Sequence, residues 1–255
     1  MLVGIALVAG GCGGSDDDAG DADVVRLEPI GAEFDTDLVA DLDPRAVGGG
    51  IAIALPDVPP LGAAAGGAIA VDGDQPGLYG GSRDIATCDV AQLIEFLTDP
   101  DHAAEAEAWA EVHGIEVDEI AEFIDGLTPV RLRFDTRVTN HGFDGEEATP
   151  LQSVLQAGTA VLVDERGVPR AKCACGNPLL PPAGSGTVAD DDDDAWEGFD
   201  PDRLVTVEAG EELDELVLVD VDDGVLFARP VGTDGEADRP LQLDEALCDV
   251  FAQSP

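Results

Sequence analysis

Residues 117–134 read VDEIAEFIDGLTPVRLRF, and their hydrophobic period changes halfway along the stretch. In the first half, apolar residues recur every three or four positions, which predicts an amphipathic helix. Gly126 and Pro129 are typical of the end of such a helix. From Val130 to Phe134, apolar residues alternate with charged ones, which predicts a half-buried β-strand. The chain therefore passes from helix to strand within this stretch.

Helical patterns precede this stretch and strand patterns follow it. Two further helices are predicted upstream, and Asp99 and Pro100 are typical of an N-cap followed by proline at the first helical position. Downstream, the turn sequences at 164–167 and 222–224 separate apolar runs, as in β-hairpins. We predict an α+β fold, with a short helical region followed by a mostly antiparallel sheet stapled by disulfides.

The chain is strongly acidic. It has 255 residues, of which 55 are Asp or Glu and 12 are Lys or Arg, so the formal net charge is −43. Lys172 is its single lysine. An acidic surface with scarce lysine is typical of adaptation to high salt, where repulsion between like charges is screened. Such a surface repels phosphates, so we expect no nucleic-acid partner.

The N-terminus indicates export and a lipid anchor. Residues 1–11 form a short apolar run that ends in small residues directly before Cys12, which resembles the cleavage site of a bacterial lipoprotein signal peptide. No basic residue precedes Cys12, so we expect translation to start upstream of Met1. We predict that Cys12 is lipidated and that residues 12–23 are an acidic flexible tether. The predicted location is the extracytoplasmic face of the cell membrane, with the lipid anchor as the membrane contact.

The remaining chain divides in two by composition. Residues 24–75 contain a strand pattern followed by a stretch rich in Gly, Ala and Pro, which is typical of a linker. Turn residues at 76–81 then mark the start of the predicted α+β domain, which spans residues 76–255.

Four cysteines remain once Cys12 is lipidated, and an even number in an exported chain predicts two disulfides. Cys173 and Cys175 are two positions apart, so on a strand their side chains would point the same way and a bridge between them is disfavoured. Each is expected to pair with Cys88 or Cys248, in an order that the sequence leaves open. A zinc site built from four thiolates and a redox-active C-x-C motif are the alternatives.

Several segments match a pattern found in other proteins. They are Gly77-Leu-Tyr-Gly-Gly81, Asp135-Thr-Arg-Val-Thr-Asn-His-Gly142, Thr149-Pro-Leu-Gln-Ser-Val-Leu-Gln-Ala-Gly-Thr-Ala-Val-Leu-Val163 and Cys173-Ala-Cys-Gly-Asn-Pro178. Together they resemble an uncharacterised domain of actinobacterial cell-envelope proteins. The resemblance implies exposure at the cell surface, and it implies no activity and no catalytic residue.

Half of the positive charge lies between residues 131 and 172, which points to a ligand-binding site for an anion. Arginine suits such a role because it binds carboxylate or phosphate through two parallel hydrogen bonds. The candidate ligand-binding residues are Arg131, Arg133, Arg137, Asn140, His141 and Arg170. Local pairing of the arginines with neighbouring acids, and a loop-capping role for Asn140 and His141, are the alternatives. His102 and His113 lie on acidic helices and are expected to be solvated.

No sequence motif indicates a particular enzymatic reaction. The acidic runs at 190–194 and 220–223 do not fit a calcium-binding loop, so we expect no metal site, and no cofactor is expected either. We therefore expect a binding or structural envelope module whose partner is an envelope protein or a small anionic ligand. The alternative is a hydrolase directed at the cell wall or at glycans, which would use carboxylates near His141.

Overall fold

The computed structural model describes residues 24–32, 34–38, 64–65, 68–184, 186–188 and 195–241. The predicted signal peptide, the lipidated Cys12, the tether, the acidic run at 190–194 and Cys248 lie outside these residues. Across the described part of the chain, no helix is long and apolar enough to cross a bilayer.

The three predicted helices form between residues 90 and 125. They are α1 (Val90–Thr98), α2 (Ala103–His113) and α3 (Ile120–Asp125). A short 3₁₀ turn precedes α2, and there the side chain of Asp99 accepts a hydrogen bond from the backbone of Asp101, with Pro100 next to it. Gly114 ends α2 in the left-handed conformation, with φ of 67°, which favours glycine because it has no Cβ.

Strands account for most of the remaining described chain. In chain order they are β1 (Val24–Glu28), β2 (Ala64–Ala65), β3 (Ala68–Asp72), β4 (Tyr79–Gly81), β5 (Thr128–Leu132), β6 (Thr136–Phe143), β7 (Ala148–Leu155), β8 (Ala160–Val163), β9 (Pro169–Lys172), β10 (Leu179–Leu180), β11 (Thr187–Val188), β12 (Leu204–Glu208), β13 (Glu215–Asp220), β14 (Leu226–Pro230) and β15 (Arg239–Pro240).

The strands form two sheets. The first has the order β11-β1-β7-β6-β12-β3-β2, with β10 also paired to β6. The second has the order β15-β14-β13-β4-β5-β8-β9. Antiparallel pairs outnumber parallel ones, and the helical region precedes most of the strands, so the α+β prediction is confirmed.

Alternating apolar side chains define three layers. Val138 and Leu155 of the first sheet pack against Val161 and Phe227 of the second sheet, so the sheets face each other across a shared core. Leu162, the neighbour of Val161 on β8, points the opposite way because successive strand residues face opposite sides. It packs with the helices and with Trp109, the bulkiest fully buried residue. The helices therefore cover the outer face of the second sheet.

The linker expected over residues 24–75 contains strands that belong to the first sheet. Ala68–Asp72 is β3 and runs parallel to β12 along five residues. At the start of the segment 24–75, β1 runs parallel to β7. The strand pattern at the start of this segment forms β1, whereas the Gly- and Ala-rich composition did not reveal β3, because that strand pairs with a segment more than a hundred residues away.

Candidate functional site

A cluster of polar side chains lies between the two sheets. We define the inter-sheet cluster as Glu28 on β1, Asn140 on β6, Ser153 on β7 and Lys172 on β9. Lys172 Nζ lies 2.8 Å from Glu28 Oε2, and these side chains are 5% and 0% exposed. Asn140 Nδ2 donates a hydrogen bond of 2.8 Å to the other carboxylate oxygen, Oε1. The single lysine of the chain thus forms a buried ion pair, which costs desolvation and must be offset by close contacts.

Both members of this pair are held in their charged forms. Burial alone would raise the pKa of Glu28, but the Lys172 charge and the hydrogen bonds to the carboxylate outweigh it and the pKa is lowered. Burial alone would lower the pKa of Lys172, but the charge of Glu28 and its hydrogen bond to the amine raise it overall. A positive and a negative charge therefore face each other in a site that is almost completely buried.

One of the two expected disulfides is present, and the expected strand position of the motif from Cys173 to Cys175 is wrong. Cys88 is bonded to Cys173, which joins the start of the helical region to the end of β9. The motif from Cys173 to Cys175 is not on a strand, because β9 ends at Lys172 and the next three residues form a turn. Gly176 closes that turn with φ of 67°, and its N–H donates to the Lys172 carbonyl at 2.8 Å.

Cys175 is buried and has no disulfide partner among the described residues. Burial raises the pKa of its thiol to about 12, so it stays protonated at neutral pH. Because Cys88 and Cys173 are already bonded to each other, the four-thiolate zinc site is not formed. Pairing of Cys175 with Cys248 stays a prediction.

The segment 34–38 covers the inter-sheet cluster. The Arg26 guanidinium stacks 3.3 Å from the centre of the Phe34 ring, and Lys172 Nζ lies 5.5 Å from the same ring. Asn177 anchors the segment by accepting a hydrogen bond from the Leu38 backbone at 2.5 Å. The other side of this segment borders a surface cleft.

That cleft is acidic, and its volume is about 550 Å³. We call it the acidic cleft. Its lining residues are Asp35, Thr36, Asp37, Leu38, Phe96, His102, Glu105, Phe143, Asp144 and Gly145. The ring of His102 stacks on Phe96 with centroids 3.7 Å apart, and its Nδ1 lies 3.6 Å from a Glu105 oxygen. The Asp144 carboxylate accepts hydrogen bonds from the backbones of Glu147 and Glu146, which lower its pKa.

Close backbone contact fixes one wall of the acidic cleft. The Phe143 N–H donates to the Thr36 carbonyl at 2.6 Å. A Cβ on the neighbouring Gly142 would meet that same carbonyl oxygen at 2.7 Å, so glycine is required for this approach. The segment 34–38 is thereby held against the end of β6.

The arginines predicted to bind an anion are mostly buried. Arg131 donates to the Gly158 carbonyl at 3.1 Å, and Arg133 donates to the Gly77 carbonyl. Arg137 is 5% exposed, and its buried Nη2 contacts no acceptor in the described part of the chain. Burial lowers the pKa of all three. Arg170 pairs with Asp164 at 2.7 Å, as the local-pairing alternative expects.

None of these four arginines lines the acidic cleft. An anionic ligand bound by them stays a prediction.

Asn140 and His141 lie on a strand, whereas the alternative of a capping role had placed them in a loop. They belong to β6, whose first seven residues are all buried. The ring of His141 is 7% exposed and its Nδ1 lies 3.2 Å from the Pro178 carbonyl, while burial lowers its pKa. Polar residues in this strand made it look like a loop, because a strand with both faces covered lacks the usual alternation.

Sequence reasoning missed a second buried ion pair. Arg229 and Asp238 have side chains with no exposed surface and lie 2.7 Å apart. Arg229 also donates to the backbone carbonyls of Pro129, Ser82 and Ile85. An arginine within the strand pattern of β14 was the available signal. The pair fixes the loop that follows β4, because Arg229 binds two carbonyls of that loop. These contacts indicate a structural role.

His113 is packed among aromatic rings, contrary to the expected solvated position. Its ring centroid lies 4.2 Å from that of Trp109 and 4.8 Å from that of Phe123. Burial, together with the nearby Arg170 and His141, lowers the pKa of His113 to about 3. The ring is therefore neutral in the folded protein at neutral pH.

We expect His113 to make stability depend on pH. Its folded pKa of about 3 lies below its ordinary value of 6.5, so the unfolded chain takes up the proton first. The stability it contributes is present above pH 6.5 and is lost as the pH falls towards 3. Replacing His113 with Phe should reduce the loss of unfolding free energy between pH 7 and pH 4 by about 1–3 kcal/mol, measured by urea unfolding. Identical pH profiles for the two proteins would contradict the buried neutral ring.

No group of three or more His, Cys, Asp or Glu residues within the described ranges is arranged to hold a metal ion.

The comparisons with known proteins agree with the sequence resemblance at the level of the domain. The family described as Domain of unknown function (DUF6777) matches residues 69–232. Neither a curated protein nor a solved structure matches the chain. The matched region runs from β3 to the loop after β14 and includes Asn140 and Lys172, while Glu28 and the segment 34–38 precede it. The chain belongs to the DUF6777 family.

Proposed function

We propose that the protein is a lipid-anchored extracytoplasmic module that binds a positively charged partner in the acidic cleft. The observation that carries this proposal is the combination of four carboxylates with aromatic rings in one cleft, as set out above. Carboxylates attract ammonium and guanidinium groups, and aromatic faces stabilise them further.

The location is supported by two features from different parts of the chain. Small residues directly before Cys12 are typical of lipoprotein processing, and the acidic segment after it suits a tether. The Cys88–Cys173 disulfide is typical of proteins in oxidising compartments outside the cytoplasm. Both features fit a domain displayed on the outer side of the cell membrane.

The cleft favours a binding role and a cationic partner. Its volume falls within the range of sites for small ligands or for a few side chains of a peptide. The hydrogen bonds that lower the pKa of Asp144 keep that carboxylate ionised, which suits attraction of a cation and not donation of a proton. We therefore favour a lysine-rich or arginine-rich segment of an envelope protein as the partner.

We expect Cys12→Ala to release the protein from membranes. Without the thiol no lipid can be attached, so the unprocessed or secreted protein should leave the detergent-soluble membrane fraction. The measurement is fractionation of cells followed by mass analysis of the N-terminal peptide. A variant that stays in the membrane fraction with a normally cleaved N-terminus would contradict lipidation at Cys12.

We expect a lysine-rich peptide to bind the full-length protein through the acidic cleft. The double variant Glu105→Gln, Asp144→Asn removes two cleft charges and should weaken binding by about tenfold, as measured by fluorescence anisotropy of the labelled peptide. Both replacements keep an oxygen that can accept a hydrogen bond, so the local turns are retained.

The matched control is Glu107→Gln, Glu111→Gln. These residues lie on α2 with Glu105, but they are exposed and outside the cleft. This variant loses the same net charge and should bind the peptide as the wild type does. Equal weakening in both double variants would show that the peptide responds to the overall charge of −43, and the cleft proposal would be wrong.

A further inference from the structure

We propose that Lys172 and Asn140 become joined by an intramolecular amide bond between their side chains, with Glu28 carrying the proton. The bond would be an isopeptide cross-link between β9 of the second sheet and β6 of the first. The proposal is independent of the function proposed for the acidic cleft.

The three reacting groups are already in contact. One carboxylate, that of Glu28, binds the Lys172 amine through Oε2 and the Asn140 carboxamide through Oε1, each at 2.8 Å. Because the two oxygens belong to one carboxylate, Glu28 holds the amine and the carboxamide at the same buried group. Proximity of this kind replaces a bimolecular encounter and lowers the entropic part of the barrier.

The composition of the chain makes this placement unusual. The sequence contains one lysine and two asparagines, and Lys172 and Asn140 meet at the same buried carboxylate. A lysine is rarely buried unless it is paired. In a chain of net charge −43, many exposed carboxylates could pair with it at a lower desolvation cost. The site therefore contains an amine, an amide and a proton carrier where an apolar core would be more stable.

The reaction balances without any added reagent. Lys172 first transfers a proton to Glu28, which gives a neutral amine and a carboxylic acid. The amine nitrogen attacks Cγ of Asn140, a C–N bond forms, and the C–N bond to Nδ2 breaks. The second proton of the attacking nitrogen and the proton on Glu28 leave with Nδ2, so ammonium is released and Glu28 is again a carboxylate. No atom is oxidised or reduced.

The free oxygen of Asn140 suits this step. Asn140 Oδ1 is buried and has no hydrogen-bond partner in the described part of the protein. Rotation of the carboxamide by half a turn exchanges Nδ2 and Oδ1 at Glu28, and a protonated Glu28 then donates to Oδ1. That hydrogen bond polarises the carbonyl and stabilises the negative charge that develops on its oxygen during attack.

The surroundings exclude water. Phe34 covers the Lys172 amine, and the side chains of Glu28 and Lys172 are 0% and 5% exposed. A dry site protects the product from hydrolysis. Cys173, the residue after Lys172, is bonded to Cys88. The end of β9 would then be linked covalently to both neighbouring layers.

A lysine-specific protease tests the proposal directly. The denatured and reduced full-length chain has one cleavage site, after Lys172, and an acylated side chain blocks it. We expect the wild-type protein to remain uncut and to lack the mass of one ammonia. Digestion after arginine should then yield a branched peptide that joins residues 138–166 to residues 171–203.

Three variants identify the roles. Glu28→Gln should restore complete cleavage at Lys172, because the proton carrier is lost. Asn140→Asp should form the same branched peptide with loss of one water instead of one ammonia. Gln92→Glu is the matched control, because it makes the same amide-to-acid change on α1, outside the ion pair. This control should form the bond as the wild type does.

Complete cleavage of the folded, purified wild-type protein at Lys172 would overturn the proposal, whatever the variants do. A branched peptide joined through Asn177 would also overturn it. Loss of ammonia without a branched peptide would indicate cyclisation of an asparagine on its own backbone, and it would count against the cross-link.

Discussion

In the Asn140→Ala background, in which no cross-link can form, replacement of Lys172 with methionine should destabilise the folded domain by about 3–5 kcal/mol at neutral pH, because it leaves the Glu28 carboxylate buried and unpaired. Methionine fills a volume similar to that of the lysine stem, so the loss reports the charge and not a cavity. The measurement is urea unfolding followed by circular dichroism. A loss below about 1 kcal/mol would place the pair in the class of exposed ion pairs and contradict its burial.

The pH dependence gives this variant a second signature. With Lys172 charged and paired, the pKa of Glu28 is lowered, so the stability it contributes is present at neutral pH and is lost as the pH falls through that pKa. In Lys172→Met, burial acts without its partner and raises the pKa of Glu28, so the variant should regain stability as the pH falls. The double variant Glu28→Met, Lys172→Met should recover most of the loss at neutral pH, because no buried charge remains.

Removal of the Cys88–Cys173 disulfide should also have a large effect. The bridge closes a loop with a sequence separation of 85, and its loss in Cys88→Ser, Cys173→Ser should lower the unfolding free energy by about 2–5 kcal/mol. The expected cause is the greater freedom of the unfolded chain, and the measurement is urea unfolding without reductant.

Reductant provides the control for this variant. In a Cys175→Ser background, which cannot form the predicted Cys175–Cys248 bridge, the protein with reductant should unfold at the same urea concentration as the Cys88→Ser, Cys173→Ser variant, and that variant should not respond. If the wild type unfolds at one urea concentration with and without reductant, the bridge does not contribute to stability.

Local pattern was enough to predict the helices and the hairpin strands. The apolar spacing of Ile120 and Ile124 marks one helical face, and both residues are fully buried in α3. The Asp99-Pro100 pair starts the helical turn before α2, as the sequence indicates. Gly114 ends α2. These features depend on contacts between residues close in sequence, so the sequence carries them directly.

Long-range pairing was not predictable in the same way. Glu28 and Lys172 are 144 positions apart, and although Lys172 is the single lysine, nothing in the sequence distinguishes Glu28 from the other acidic residues as its partner. The parallel pairs of β1 with β7 and of β3 with β12 leave no turn signature between them. Arg131 and Arg133 alternate with apolar residues, which indicates an exposed face, but their guanidinium groups are buried against backbone carbonyls. When both faces of a strand are covered, polar residues on either face are buried. The alternation of apolar and polar residues then no longer shows which side chains face solvent.

The acidic cleft also depends on distant segments. Residues 35–38 follow the first strand, whereas Phe96 and Glu105 lie in the helical region and Asp144 lies between β6 and β7. Acidic residues are common throughout this chain, so no local pattern distinguishes those that line a cleft. The aromatic residues were the stronger signal, since Phe, Trp and Tyr together make up 4% of the sequence.

The central claim is that this chain is an exported, lipid-anchored domain with a disulfide between its helical region and β9. Peptide mapping by mass spectrometry, on protein taken from the membrane fraction and alkylated at harvest without reductant, tests it most directly. The account predicts an N-terminal peptide that begins at a lipid-modified Cys12, and a disulfide-linked pair of peptides containing Cys88 and Cys173. Alkylated thiols at Cys88 and Cys173, together with an unmodified Cys12 that still follows residues 1–11, would contradict it.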